Sequence, residues 1–214
     1  MKSGNGIRLA TATALLGLFV ATAVAAQGVG ASGPWTDIAL SSGIQMVNET
    51  APAFPELMAN IPLSITATYH FSPTWAVEGE FTWVIAMEQA ISIDDGPEVD
   101  RKTPDILACQ ISAVACLAPN ADAWMPYVAA GVGTMSFISN DDPDRQPALS
   151  ESQTALAVNF GLGTSYQLTP VWAIRVDFRE FVAFPADDAW RSAGIAESDP
   201  VWMERGSLGI VRRF

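Results

Sequence analysis

Apolar and polar residues alternate with a period of two along much of the chain after residue 35. The clearest segment runs from Leu156 to Leu168, where one face carries large apolar side chains and the other carries Ala, Asn, Gly, Ser and Gln. Such alternation indicates a β-strand whose two faces meet different surroundings. Similar segments lie at 37–46, 63–71, 75–85, about 106–117, about 125–138, 172–179 and 207–214. The sequence therefore predicts eight strands, of which 106–117 and 125–138 are the weakest because small residues occur on both faces.

The composition of the two faces indicates a membrane barrel. Alternation also occurs in soluble sandwiches and lipocalin-like barrels, whose apolar face points inward. In this chain the polar face holds small residues and charges of both signs, which suit the narrow lumen of an eight-stranded barrel. The apolar face carries Trp, Tyr and Phe near the strand ends, as interfacial aromatic girdles do. We predict an all-β fold, an eight-stranded antiparallel up-and-down transmembrane β-barrel.

The connections between the predicted strands alternate in length. Short turns rich in Pro, Asn and Asp lie at 72–74, about 118–123 and 169–171. Long links lie at about 47–62, 88–105, 139–153 and 183–203. Short periplasmic turns that alternate with long extracellular loops are typical of outer-membrane barrels. We therefore expect the long loops to face outside the cell.

Residues 1–26 have the three parts of a secretory signal peptide. Lys2 and Arg8 form a basic start, an apolar run from Leu9 to Val20 follows, and small residues precede a cleavage site near Ala26. The apolar run is shorter than the roughly 20 residues of a spanning helix, which argues against a membrane anchor. We expect a cleaved signal peptide at 1–26, a short lead at 27–34 and the barrel at 35–214.

The charge balance adds an anionic outer surface to this prediction. The chain has 214 residues, 16% of them charged, with 23 acidic against 11 basic residues and a formal net charge of -12. This balance excludes a nucleic-acid binder, which needs a basic surface. The long links contain 16 of the 23 acidic residues. Asp94-Asp95 and Asp141-Asp142-Asp144 could hold a divalent cation, but neither has the spacing of a calcium loop, so we predict no metal site and no cofactor.

Five charged residues fall on the inward face of the predicted strands at 75–85 and 172–179. They are Glu78, Glu80, Arg175, Asp177 and Arg179. Unpaired charges in a dry lumen would be costly, so these side chains should form ion pairs and hydrogen bonds. We interpret them as a structural plug. The alternatives are a gated pore or a catalytic carboxylate cluster.

The chain resembles the small eight-stranded outer-membrane barrels of the OmpA/OmpX type. The resemblance rests on Tyr69–Trp75 followed by Glu78–Glu80, on Pro126–Gly133, Phe160–Gly163 and Arg175–Arg179, and on the terminal Phe214. It implies that Phe214, Ile210 and Leu208 form the signal read by the outer-membrane assembly machinery, although Arg212 departs from that pattern. It also implies a monomer that contacts outer-membrane lipids and lipopolysaccharide in a bacterial outer membrane.

A second resemblance concerns His70, the one histidine of the chain. With Ser72 and Glu78 or Glu80 it is similar to the catalytic set of lipid A deacylase barrels, in which His activates a Ser nucleophile. Ser72 and Pro73, however, are typical of a turn on the periplasmic side, whereas such an enzyme acts near the outer leaflet. We therefore predict no catalytic residues.

The two cysteines are predicted to be free. If Cys109 and Cys116 lie in one strand, a separation of seven residues places them on opposite faces and roughly 20 Å apart, too far for a disulfide. A bridge would require a break in that strand.

The expected function is structural or interactive: membrane integrity, adhesion or binding through the acidic outer loops. The alternatives are a lipid-modifying enzyme and a narrow barrel that binds a solute or ligand. An eight-stranded barrel has a filled lumen, which argues against passage of large solutes.

Overall fold

The computed structural model describes residues 33–48, 58–92, 98–119, 123–139, 149, 151–185 and 200–214. Ten strands occur in these ranges: β1 Trp35–Asn48, β2 Met58–His70, β3 Trp75–Ala86, β4 Gln89–Ser92, β5 Glu98–Arg101, β6 Ile106–Cys116, β7 Trp124–Phe137, β8 Gln153–Gln167, β9 Trp172–Phe184 and β10 Val201–Arg213. Eight of them close into an antiparallel barrel in the order β1-β10-β9-β8-β7-β6-β3-β2. The predicted barrel is confirmed. Within the described ranges, no helix is long and apolar enough to cross a membrane.

Two features of the strands differ from the sequence prediction. Within the predicted link at 88–105, β4 and β5 pair as a separate antiparallel two-stranded sheet, which the sequence pattern does not predict. β2 and β10 begin at Met58 and Val201, earlier than predicted. In β10 the added residues include Glu204 and Arg205.

The outward wall of the barrel is apolar. Leu40, Leu156, Leu162 and Leu208 are each about 60% exposed, while their chain neighbours point into the lumen. Such a wall suits a lipid environment and would be a liability in water. In the described barrel strands, three charged side chains share this face: Glu180, Glu204 and Arg212.

Aromatic side chains gather at both ends of the wall. The end with the short turns, called here the turn end, has the larger set: Tyr69, Phe71, Trp75, Trp124, Tyr166, Trp172 and Phe214. The opposite end, the loop end, has Trp83, Phe184 and Trp202. This distribution is that of the girdles at the two interfaces of a bilayer.

Two turns at the turn end use the same local chemistry. Ser72-Pro73-Thr74-Trp75 and Thr169-Pro170-Val171-Trp172 each place a hydroxyl residue three positions before a Trp. The hydroxyl oxygen of Ser72 accepts a hydrogen bond from the Trp75 backbone N–H at 2.9 Å, and that of Thr169 accepts one from Trp172 at 3.0 Å. Each hydroxyl thus satisfies a backbone donor at the start of a strand.

The seam between β1 and β2 is interrupted at Pro62. Pairing runs to Ser42–Leu63 and resumes at Gln45–Asn60, because proline has no N–H to donate. Gly43 lies in this gap, and a Cβ there would sit 1.9 Å from the backbone oxygen of Gly206 on β10. The close approach of β10 therefore requires glycine at position 43.

We predict that Gly43→Ala destabilises the barrel by about 1–3 kcal/mol, the usual cost of overpacking. Gly206→Ala is the matched control, because a Cβ at Gly206 would meet nothing within 4 Å. The measurement is the urea concentration at which half of the detergent-folded protein loses its unboiled gel mobility. Equal midpoints for the two variants would contradict the prediction.

Candidate functional site

Four of the predicted lumen charges form one cluster across the middle of the barrel. Glu78 lies on β3 and the other three on β9, which stands on the opposite side of the ring. Arg175 binds Glu78 at 2.6 Å and Asp177 at 3.0 Å. Arg179 binds Asp177 at 2.9 Å and also binds Glu78. Each carboxylate thus lies between two guanidinium groups, in a cluster that spans the lumen.

Neighbouring strands supply further hydrogen bonds to this cluster. The Tyr127 hydroxyl on β7 donates to Asp177 at 2.5 Å, and the Arg175 guanidinium carbon lies 4.9 Å from the centre of the Tyr127 ring. Thr68 on β2 donates to Glu78 at 2.9 Å. Because buried charges are tolerated only when they are paired and hydrogen-bonded, these contacts make the cluster possible.

The fifth predicted residue, Glu80, belongs to a separate ion pair. Its two carboxylate oxygens accept from one guanidinium nitrogen of Arg205 on β10, at 2.7 and 2.8 Å. Arg205 also donates to Thr82 at 3.0 Å and lies over the Phe181 ring at 4.6 Å. The predicted charge set pairs Glu80 with the arginines of β9, whereas its partner in the structure is Arg205, which is not in that set.

A layer of neutral polar side chains joins β6 to β8. Asn159 donates to Gln110 at 2.9 Å and accepts from Ser112 at 3.1 Å. Arg179 reaches the Ser112 hydroxyl at 3.5 Å. The central charges are therefore continuous with an uncharged network that fills the lumen beside them.

Glycines on β8 provide the space for the large lumen side chains. A Cβ at Gly161 would lie 2.8 Å from Arg179 Cγ, and a Cβ at Gly163 would lie 2.2 Å from the Tyr127 hydroxyl oxygen. Gly161 thus leaves space for Arg179, and Gly163 leaves space for Tyr127. Replacing either glycine would force the network to move.

The loop end of the lumen is mostly apolar. Its buried cluster draws on every barrel strand except β2 and consists of Val47, Val84, Ile106, Ala108, Met135, Phe137, Leu149, Ala155, Ala157, Phe181, Ala183, Val201 and Met203. Leu149 comes from the link between β7 and β8 and is 1% exposed. A residue of a long link therefore forms part of an apolar cap on the lumen, which we call the loop-end cap.

The turn end of the lumen holds a third charged group. Asp37 on β1 accepts from Arg213 on β10 at 3.0 Å and lies 3.3 Å from Nε2 of His70. Trp35 stacks on the His70 ring with centroids 4.3 Å apart. A small cavity of about 30 Å³ lies beside these residues and reaches Glu78 and Arg175, which is room for water.

The residues compared with a deacylase set are not brought together as a catalytic unit. His70 contacts Asp37 and Trp35, Ser72 receives the Trp75 backbone N–H, and Glu78 binds two arginines.

Cys109 and Cys116 lie in β6 without a disulfide. β6 is continuous between them, so Cys109 lies on the outward face and the buried Cys116 faces the lumen, as expected for two residues seven positions apart in one strand.

The proposed assembly-signal residues share the outward wall. Leu208, Ile210 and Phe214 are exposed, and Arg212 lies on the same face. The departure at Arg212 is thus a real outward-facing charge and not a shift of register. That the assembly machinery recognises these residues stays a prediction.

Two sets of predicted features lie outside the described residues. They are the signal peptide at 1–26 and the acidic groups Asp94-Asp95 and Asp141-Asp142-Asp144.

Sequence reasoning missed the roles of Tyr127, Arg205 and the Asp37–Arg213 pair. Arg205 has the same parity as Ser207 and Gly209 on the inward face, so extending the alternation two residues upstream would have located it. Tyr127 lies on the same face of β7 as Gly131 and Gly133, and in the sequence only those glycines indicate that this face is the inward one. Partner choice across the barrel has no such signal in the sequence.

We predict that Arg175→Ala lowers the free energy of unfolding by roughly 3 kcal/mol, near the low end for breaking a buried ion pair, because Glu78 keeps Arg179. Glu204→Ala is the control, since Glu204 is an exposed outward charge. The measurement is the urea unfolding midpoint in detergent. An unchanged midpoint for Arg175→Ala would contradict the structural role of the cluster.

The chain matches the family model of the outer membrane protein beta-barrel domain over residues 10–197. It is similar to the crystal structure of Neisserial surface protein A, at 14% identity over 84% of this chain and 97% of that chain, with a TM-score of 0.59. It is also similar to Ail, the attachment invasion locus protein of Yersinia pestis, in complex with the heparin analogue sucrose octasulfate: 15% identity, 85% of this chain, 99% of that chain, TM-score 0.52.

A third similar structure is the N-terminal β-barrel domain of Pseudomonas aeruginosa OprF, at 14% identity over 86% of this chain and 99% of that chain, with a TM-score of 0.50. Among curated proteins, none matches the chain by sequence. At these identities the solved structures share the fold, and the family assignment rests on the family model. The chain belongs to the outer membrane protein beta-barrel domain family, whose members are barrels of the bacterial outer membrane.

Proposed function

We propose that this protein is a non-enzymatic outer-membrane barrel that acts through its long acidic loops, in membrane integrity, adhesion or binding at the cell surface. The observation that carries the proposal is the filled lumen. Because side chains occupy the interior, the surface that remains for a partner is the wall and the loops. The barrel then serves as a rigid anchor for the loops.

Three successive layers support the assignment of a closed interior. The loop-end cap is apolar, the middle contains the two groups of buried ion pairs, and the turn end holds the Asp37–Arg213 pair. Arg179 and Arg205 are among the largest fully buried side chains. An eight-stranded barrel is just wide enough for side chains to fill or for one small ligand, so we propose that it conducts no large solute.

The loop charges support a surface role. The four long links predicted from the sequence hold 16 acidic residues and four basic ones. In our proposal these loops face outside and the short turns face the periplasm. The protein is a monomer in this proposal, with the wall against outer-membrane lipids and lipopolysaccharide, and Phe214 belongs to the signal for the assembly machinery.

The loop charges also argue against transferring the ligand class of a similar structure. Ail is described in complex with a heparin analogue, sucrose octasulfate, which is a polyanion. Acidic loops would repel a polyanion. We therefore propose partners that are cationic or neutral on the side that meets the loops.

We predict that the purified protein gives no steady ion current in a planar bilayer and does not release acyl chains from lipid A. The reason is that the lumen is filled and that His70 and Ser72 are engaged in separate contacts. A large porin and a lipid A deacylase serve as positive controls. A steady current would refute the proposal and indicate a pore. Deacylation of lipid A that Ser72→Ala abolishes would refute it and indicate an enzyme.

We predict that an epitope tag inserted at residue 145, in the predicted link 139–153, binds its antibody on intact cells. The same tag placed after Pro170, in the turn before β9, should bind only after the outer membrane is permeabilised. Gel mobility before and after boiling checks that both proteins fold. The reverse pattern of accessibility would refute the proposed orientation.

A further inference from the structure

Arg212 differs from the other arginines of the barrel strands. Arg175, Arg179, Arg205 and Arg213 point into the lumen and each binds a carboxylate. Arg212 points outward on the lipid-facing wall, and no carboxylate within the described residues pairs with it. A guanidinium group cannot lose its charge in a protein. An outward arginine on such a wall therefore needs an anion from outside the chain or a position at the interface.

Two aromatic rings flank the Arg212 guanidinium. Its central carbon lies 4.9 Å from the centre of the Phe214 ring and 5.7 Å from that of Trp172, the residue paired with Arg212 across the β9–β10 seam. Ring faces favour a nearby cation and displace part of its water. The side chain is thereby held at the wall, within the aromatic girdle of the turn end.

The position corresponds to the headgroup level of a bilayer leaflet. Arg212 is one residue from the end of β10, and girdle residues such as Trp172 mark the boundary between hydrocarbon and headgroups. The wall next to it, at Leu208 and Ile210, is apolar and more than half exposed. A ligand at this point thus meets hydrocarbon-like surface on one side and a positive charge at its edge.

We propose that Arg212, Trp172 and Phe214 form a binding site for the phosphate of a phospholipid in the leaflet that meets the short turns. The planar guanidinium presents donors in the geometry that a phosphate accepts in pairs. The acyl chains of the lipid lie along Leu208 and Ile210. This inference depends on the membrane setting of the barrel and not on the role proposed for the loops.

The test uses protein refolded in uncharged maltoside micelles, so that the assembly machinery plays no part. The probe is dioleoyl phosphatidylglycerol, with dioleoylglycerol as the phosphate-free analogue, and native mass spectrometry counts the bound lipid. The wild type should retain phosphatidylglycerol in preference to dioleoylglycerol. Arg212→Gln should weaken retention roughly fivefold, the effect of losing one basic residue near an anionic surface.

Arg213→Gln is the matched control, because Arg213 is the adjacent arginine but faces the lumen and binds Asp37. It should leave lipid retention unchanged, and unboiled gel mobility checks that both variants are folded. Equal retention by the wild type and Arg212→Gln, or equal loss in both variants, would overturn the proposal. Displacement of the lipid by glycerol phosphate at equal concentration would also overturn it, since the site would then bind a free phosphate rather than a lipid.

Discussion

The cross-barrel contact between Glu78 and the arginines of β9 is the constraint on which the interior depends. β3 and β9 stand on opposite sides of the ring, so an ion pair between them crosses the lumen. Such a pair repays its desolvation cost only when every remaining donor and acceptor is satisfied. The hydrogen bonds from Thr68 and Tyr127 follow from that requirement. Because two carboxylates balance two guanidinium groups, removing any one partner leaves a net charge in the buried cluster, so the cluster acts as a unit.

The same requirement explains the uneven sizes of the inward-facing residues. β9 carries the long Arg179 and β7 carries Tyr127, while β8 between them has Gly161 beside Arg179 and Gly163 beside Tyr127, which leave the volume those side chains fill. Small inward residues on one strand and large ones on its neighbours are therefore a single packing solution. It also accounts for the weak alternation of β7, where the inward Gly131 and Gly133 pair with Ser112 and Gln110 of β6, two residues of the neutral polar layer.

The sequence predicted the architecture well, because the alternation of the strands, the turn residues and the polarity of each strand face are local properties. It placed Glu78, Arg175, Asp177 and Arg179 on the inward face for the same reason. It could not assign Glu80 to Arg205, because the choice between arginines depends on how far each strand is staggered around the ring. Nor could it place Leu149, since a single apolar residue in a polar link carries no periodic signal. Pairing across a closed barrel is a global property of the register.

The spacing of the charged residues on the outward wall gives an estimate of the thickness of the apolar band of the barrel. Glu204 and Arg212 lie on one strand, eight residues apart, near the loop end and the turn end respectively. Eight residues extend about 27 Å along a strand, which becomes about 21 Å across the membrane at a tilt near 40°. Long charged side chains reach toward the water on their own side, so the uncharged band between them approaches the roughly 25 Å apolar band of outer-membrane barrels. The outward charges therefore mark the two edges of the hydrocarbon and do not interrupt it.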